Sequence, residues 1–529
     1  MIDYIKSLLT KVIGSDAEIK ITFSEKTEFG DYTTNIAFDL AKKTNQSPLE
    51  TANELSQKIK EADNDNCFSR IGVAKPGFIN LWISPDFLIK QLSKILDLGP
   101  EYGESKTSNP KNIQIEFVSA NPTGPLTMAN GRGGFLGSTL ANVMEKIGHK
   151  VTREYYINDT GHQVELLGNS VLAKLGLNEP AEDHYQGDYI QTLADYFKNS
   201  ADDIKGTNGR IVADYLFKEL IQPSLKKAGL EFDNWFSEYE NLHQKKELQK
   251  VLELLAKQNL IDRYDGAQWL KTTDIEDEKS RVLVKSDGQP TYFLSDIAYH
   301  YDKLIKRGFD LVIDIWGADH HGYVARLKSG VKAVGANPEK LKIIIIQLVR
   351  LMRGEQEIRM SKRSGQFITM DNLIDEVGKD AARFFFLMYS PDTHMNFDLV
   401  LAKEKSLKNP VYYCQYAFAR ANSILIKAGS QKTTTENIGL LTNVNELNLI
   451  KALIKWPDIL QQTAEDYQVN RLTRYALEVS KTFHNFYEKE RVVDNDPKIT
   501  SARLAIVLAT KTILKNIFDV LGISAPEKM

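Results

Sequence analysis

Residues 116 to 132 read Glu116-Phe117-Val118-Ser119-Ala120-Asn121-Pro122-Thr123-Gly124-Pro125-Leu126-Thr127-Met128-Ala129-Asn130-Gly131-Arg132. Ahead of them Ile113, Ile115 and Phe117 alternate with polar residues, the period-2 pattern of a strand. Behind them Phe135 to Ile147 carries apolar residues at helical spacing and stops at Gly148, a C-cap residue type. The stretch is therefore a strand, a Pro/Gly-rich turn and a helix start. In an open parallel sheet this junction lies at the carboxyl end of a strand, where nucleotides bind. The free N–H groups of the helix N-terminus favour an anion there. A Gly-rich turn that serves packing alone has the same pattern.

The rest of residues 99–375 extends this unit. A second strand is expected over Val151 to Ile157, followed by Asn158-Asp159-Thr160-Gly161-His162-Gln163, where Asn and Asp before Gly also suit a simple turn. From about 165 to 280 the pattern is helical and charged, an insertion between two halves of a nucleotide fold. Ser286-Asp287-Gly288 marks a hairpin, and Tyr292 to His300 opens a helix. Asp310 to Trp316 is a strand that runs into Gly317-Ala318-Asp319-His320-His321-Gly322-Tyr323 and a helix to about Val334. That second strand–turn–helix is what a doubly wound sheet requires. Asp319, His320 and His321 also suit metal ligation, but no Cys or further carboxylate stands at ligand spacing. Ile343 to Leu348 is the last buried strand, and Arg359-Met360-Ser361-Lys362-Arg363-Ser364-Gly365 is a cationic loop.

On either side lie two further domains. Residues 1–98 read as a small α+β domain. It has a helix through Ile2, Ile5, Leu8, Leu9 and Val12, a second helix carrying Ile36, Ala37, Leu40 and Ala41 that Asp31 could cap, and a strand from Phe78 to Ile83. Gly99 to Asn112 is a linker. Residues 376–529 read as helical to the end, with helices near 446–467, 470–490 and 501–521. The expected class is α/β: a doubly wound parallel nucleotide-binding sheet with a small α+β N-terminal domain and an all-α C-terminal bundle.

The chain has 529 residues, room for three or four domains of about 100–200 residues each. Lys+Arg 67 against Asp+Glu 70 gives a net charge of −3, so an RNA surface would have to be a local basic patch. Cys67 and Cys414 lie far apart without CxxC spacing, and neither a structural metal nor a disulfide framework is expected. No signal peptide and no run of 18 apolar residues is seen, so no membrane span and a cytoplasmic location are expected.

The quoted stretch closely resembles the first motif of class I aminoacyl-tRNA synthetases in its arginyl form, Glu-Phe-x-Ser-x-Asn-Pro-Thr-Gly-Pro-Leu-His-x-Gly-His-x-Arg. It departs at the residues that name the HIGH motif: Thr127 stands at the first His, Ala129 at the Gly and Asn130 at the second His. Residues 359–365 resemble the KMSKS loop, with Arg359 at the first Lys and Lys362 kept. Phe29 to Asn35 and Lys75 to Asn80 resemble the family's extra N-terminal domain, which touches tRNA. Leu407 to Arg420 resembles the opening of its anticodon-binding bundle.

The resemblance implies an arginine–tRNA ligase that uses ATP, with Mg²⁺, to form arginyl-adenylate and charge tRNA(Arg), working as a monomer. By resemblance Thr127, Asn130 and Lys362 are the catalytic residues. Pro122, Gly124, Gly131, Asp319, His321, Arg359, Met360 and Ser361 would meet ATP. Glu116, Ser119, Asn121, Tyr292 and Asp296 would meet arginine. Tyr412, Gln415, Tyr416 and Arg420 would meet tRNA, since aromatics beside Arg and Gln suit splayed bases, though tyrosines at that spacing also suit a core. Thr and Asn supply donors in kind for the two histidines. Paired carboxylates suit a guanidinium, a planar fork of donors that is always charged. At this point Glu116 also reads as a solvated strand residue and Asp296 as the cap of the helix it begins, and two other functions stay open: a catalytically silent RNA-binding paralogue, and a class I synthetase for a different amino acid.

Overall fold

The computed structural model describes the chain except residues 15–17, 25, 106, 108, 272–279, 359–367 and 430–434. The first helix, Ile2–Ile13, buries Ile2, Ile5, Leu8 and Leu9 against an antiparallel sheet of β1 (Ile21–Phe23), β2 (Tyr32–Thr34), β3 (Phe68–Ala74) and β4 (Phe78–Ile83), in the order β1-β2-β4-β3. Asp31 caps no helix. The run after it is β2, where an aromatic and two β-branched threonines suit a pleated strand, and the next helix starts only at Ile36. Asp31 instead accepts the Ile83 N–H at 2.8 Å and pairs with Lys451 of the C-terminal bundle at 2.9 Å.

β5 (Asn112–Glu116), β6 (Lys150–Ile157) and β7 (Asn234–Ser237) come next. A small antiparallel sheet follows, made of β8 (Ile261–Tyr264), β9 (Ala267–Leu270) and β10 (Arg281–Val284). The chain then returns as β11 (Leu311–Gly317) and β12 (Leu341–Ile346). The main sheet runs β12-β11-β5-β6-β7 with every pair parallel, so the strand order reverses beside β5. β7 lies inside the stretch expected as a helical insertion. At four residues it is too short to show a period, and only the parallel register with β6 makes it a strand. After the Lys285–Gly288 turn the expected hairpin returns as a single bridge between Val284 and Pro290 before the helix Tyr292–Tyr301 begins.

The helix Met128–Lys146 packs tightly on β5. A Cβ added at Gly137 would lie 2.4 Å from the Phe117 ring, so glycine permits the close approach. Beyond β12 come β13 (Val349–Arg353), β14 (Gln356–Ile358) and β15 (Met395–Asp398), the last running parallel to β13. The chain is thus not wholly helical after 376; buried Met395 and Phe397 alternate with polar neighbours, as a short strand requires. The span 446–467 is two helices, Val444–Leu453 and Trp456–Asp466. Pro457, which lacks an N–H, sits in the first turn of the second.

Candidate active site

A cavity of about 1280 Å³ opens where β5, β6, β7 and β11 end. Single-ligand pockets run to roughly 300–1,000 Å³, so this one has room for more than one substrate. Its wall is the quoted stretch. Val118 (φ 69°) and Ser119 (φ 37°) both take left-handed backbone, which is costly for a β-branched residue. The turn aims Ser119 at the cavity, and its Oγ accepts the Tyr156 N–H at 3.1 Å. The start of the helix is tied to residues 368–370: Met128 N donates to Ile368 O at 3.1 Å and Met370 N to Leu126 O at 2.8 Å. Arg132, buried, donates to the carbonyls of Gln347, Ser390 and Thr393 at 2.7, 2.9 and 2.7 Å. Burial lowers its pKa to about 10.

Thr127 is the N-cap of the helix, and it lines the cavity together with Ala129 and Asn130. Asn130 Oδ1 accepts both the Thr127 N–H and the Thr127 hydroxyl, each at 2.9 Å. The Asn130 amide nitrogen has no partner among the described residues. Gly124 and Asp319 also line the cavity. Pro122, Gly131 and His321 do not; His320 takes the place expected of His321. Gly131 points into the core, where an added Cβ would meet Phe135, Met370 and Phe386 at 3.5–3.6 Å, because this side of the helix packs on the helices Met370–Val377 and Lys379–Leu387. Arg359, Met360, Ser361, Lys362 and Arg363 lie outside the described residues.

Of the acids that line this space, Glu182, Asp183 and Asp319 are exposed and three, Glu116, Asp296 and Glu238, are not. Glu116, the last residue of β5, is buried, not solvated, and its Oε2 accepts Lys303 Nζ at 2.6 Å. Burial raises its pKa and Lys303 opposes the rise. Asp296 sits in the second turn of its helix, whose N-cap is Thr291, so it is free to face the cavity. Tyr323 donates to its Oδ2 at 2.5 Å, and burial, with Glu238 and Glu116 nearby, pushes its pKa up to about 6. The third acid, Glu238, was not singled out from sequence. It follows β7 as Glu116 ends β5, and the aromatic pair Trp235-Phe236 ahead of an acid was the available signal. Asp159 holds its turn by accepting Ser237 Oγ at 2.5 Å and Tyr239 N at 2.9 Å. Asn158, with its amide nitrogen turned toward the acceptors, donates to Glu238 Oε2 at 3.0 Å. Tyr292 is 57% exposed on the same wall, and Asn121 donates to Gln163 at 2.6 Å.

Far from this cavity, the helix Pro410–Ala428 presents Tyr412 and Tyr416 as parallel rings 6.5 Å apart. Arg420 lies over Tyr416 and Tyr487 at 5.1 and 4.9 Å and donates to both hydroxyls. Gln415 does not join them. It is buried on the opposite side, where it donates to Asp380 at 2.9 Å and to the Ser524 carbonyl at 3.0 Å, since one helix cannot turn neighbouring residues 415 and 416 the same way. Among the described residues no group of three or more His, Cys, Asp and Glu is placed to hold a metal, and no helix is long and apolar enough to cross a membrane.

Residues 1–83 match the family model "Arginyl tRNA synthetase N terminal domain", 91–212 and 213–387 match "tRNA synthetases class I (R), catalytic domain", and 414–529 match "DALR anticodon binding domain". The chain is 41% identical over 534 residues to the arginine–tRNA ligase of Syntrophotalea carbinolica, covering 98% of this chain and 96% of that one. It is 40% identical over 550 residues to that of Listeria monocytogenes, covering 100% and 98%. The Thermus thermophilus arginyl-tRNA synthetase structure superposes with a TM-score of 0.81 at 20% identity over the whole of both chains, a likeness of fold. With strand order, cavity and motif in agreement, the chain belongs to the arginyl-tRNA synthetase family of class I synthetases.

Proposed function

We infer that this cavity is where the chain, an arginine–tRNA ligase, joins L-arginine to ATP and passes the arginyl group to tRNA(Arg). The observation that carries the site is the meeting of the three unexposed carboxylates Glu116, Asp296 and Glu238 with the N-terminus of the helix Met128–Lys146 in one cavity. The helix end suits the ATP phosphates. The acids suit a substrate with a guanidinium at one end and an ammonium at the other. An arginine carboxylate oxygen attacks the α-phosphorus in line, and pyrophosphate leaves. A hydroxyl of the terminal ribose then attacks the arginyl carbonyl carbon, the acyl–phosphate bond breaks and AMP leaves.

No side chain has to act as nucleophile; placement and phosphate charge stabilisation suffice. Thr127 and Asn130 take the role of donors to ATP, with Gly124 and Asp319 beside them, and Lys362 that of cation to the leaving pyrophosphate. Ser119, Asn121 and Tyr292 complete the arginine contacts. Mg²⁺ fits as a companion of ATP, because it takes one or two carboxylates besides the phosphates and the described residues hold no dedicated cluster. Tyr412, Tyr416 and Arg420 suit anticodon bases. A monomer in the cytoplasm completes the reading. Charging a tRNA(Arg) transcript with purified protein, ATP, Mg²⁺ and labelled arginine, beside the other amino acids, tests it. Arginine-specific charging is expected, and tRNA binding without charging would refute it.

A further inference from the structure

Three acids stand side by side below the cavity. In the parallel register Glu154 of β6 faces Glu116 of β5, and Glu116 faces Asp314 of β11. Side chains at registered positions leave the same face of a sheet, and neighbouring strands lie about 4.8 Å apart. Carboxylates this close and buried do not all stay ionised without cations. The cations come from one stretch of chain, Lys303 and Arg307. Arg307 donates to Glu154 at 2.9 Å. Lys303, fully buried, donates to Glu116 Oε2 at 2.6 Å and Asp314 Oδ1 at 2.8 Å, and lies 4.0 Å from the centre of the Tyr299 ring. Asp314 has a second partner, His300 Nε2 at 2.7 Å. Of the three acids only Glu116 also lines the cavity.

We propose that Lys303 is a positioning residue for arginine selection: it grips Glu116 from behind and keeps it a charged, oriented acceptor whose charge is already partly matched. A guanidinium is weakly hydrated and spreads its charge over five donors, so it needs acceptors more than a deep negative potential. A lysine-like ammonium is a compact, strongly hydrated ion that needs the potential. Glu116 backed by Lys303 supplies the first without the second. The proposal rests on the reading of this cavity as the arginine site.

The test is steady-state charging of tRNA(Arg) by the full-length Lys303→Met variant between pH 6.5 and 9. Besides Lys303, the groups around Glu116 are Asp314 with its partner His300, Glu154 with its partner Arg307, Ser119, Tyr156, Tyr299 and, across the cavity, Asp296 and Glu238. Without Lys303, only the Ser119 hydroxyl opposes burial and Asp314 at Glu116, which is then expected to take up a proton near neutrality. The arginine KM is expected to rise about tenfold or more at pH 7 with a much smaller change in kcat, and to return toward the wild-type value as the pH approaches 9. Adding Glu116→Gln should remove that pH dependence. If Lys303→Met fails to fold, Lys303→Met with Asp314→Asn removes one charge of each sign and still leaves Glu116 buried and unpaired, so a KM that rises toward low pH is again expected, with a smaller amplitude because Asp314 no longer adds to it. A KM that stays flat across pH in either variant, with kcat or melting temperature alone altered, overturns the proposal. Wild-type protein that charges no arginine overturns both the proposal and the reading beneath it.

Discussion

The hydroxyl of Thr127 and the backbone N–H of Thr127 both donate to one atom, Oδ1 of Asn130, at 2.9 Å. The two residues that stand where the family carries histidines are therefore one unit, with Asn130 held by Thr127 and its amide nitrogen without a partner among the described residues. Thr127→Ala and Asn130→Ala should each lower kcat/KM for ATP about 10- to 100-fold, and the double variant should lose little more than the worse single one. Steady-state charging of the three variants checks this; losses that multiply would mean two independent donors. Asn130→Ala should also cost about 1 kcal/mol of stability, read by urea unfolding, because it removes the acceptor that holds the N-cap Thr127.

Asp296 holds its proton up to about pH 6 because it is buried near Glu238 and Glu116. The folded chain therefore binds that proton more tightly than the unfolded one. Its contribution to stability is complete below the ordinary carboxylate range and is lost as pH rises through about 6. A bound arginine cation works the other way and favours the ionised form. The arginine KM should rise as pH falls below 6, and arginine should raise the melting temperature more at pH 7.5 than at pH 5. Asp296→Asn should raise the KM and flatten both profiles. A wild-type KM that stays level from pH 7.5 to 5 would remove Asp296 from the substrate contacts.

On the bundle, Arg420 and Gln415 should separate cleanly. Arg420→Ala strips the cation from the face of Tyr416 and Tyr487 and should raise the KM for tRNA about tenfold, on the scale of one base-stacking contact, with the arginine and ATP values unchanged. Gln415→Ala removes the donor to the Ser524 carbonyl and one of the donors to Asp380, which keeps the Ser524 N–H and hydroxyl, and should cost about 1 kcal/mol of stability with the tRNA KM intact. Charging kinetics and thermal melting of both variants read the difference; the reverse pattern would mean that the helix presents its other face to RNA.

The parts legible in sequence are those whose signal is local. Ile113, Ile115 and Phe117 carry their own period, and the motif from Glu116 to Arg132 carries its own chemistry, so the first strand, the turn and the helix could be read without the rest of the chain. β7 could not be read, because four residues, Asn234 to Ser237, hold no period and become a strand only beside β6. Glu238 was hidden for the same reason: an acid after an unseen strand looks like any surface acid. Gly131, His321 and Gln415 show a different loss. A motif string names a set of residues, but rotation about the helix or turn decides which of them faces the site: Gly131 and His321 turn away from the cavity, and Gln415 turns away from Tyr416 and Arg420.

By itself the sequence determined the class of sheet, the place of the nucleotide junction and the family chemistry, since each rests on residues within a few positions of one another. Tertiary structure alone decided the company those residues keep. It set Glu154, Glu116 and Asp314 in one row and brought Lys303 beneath Glu116 from 187 positions away. Charge balance in a buried site depends on which strands are neighbours and which helix covers them, and neither is written in any single stretch of the chain.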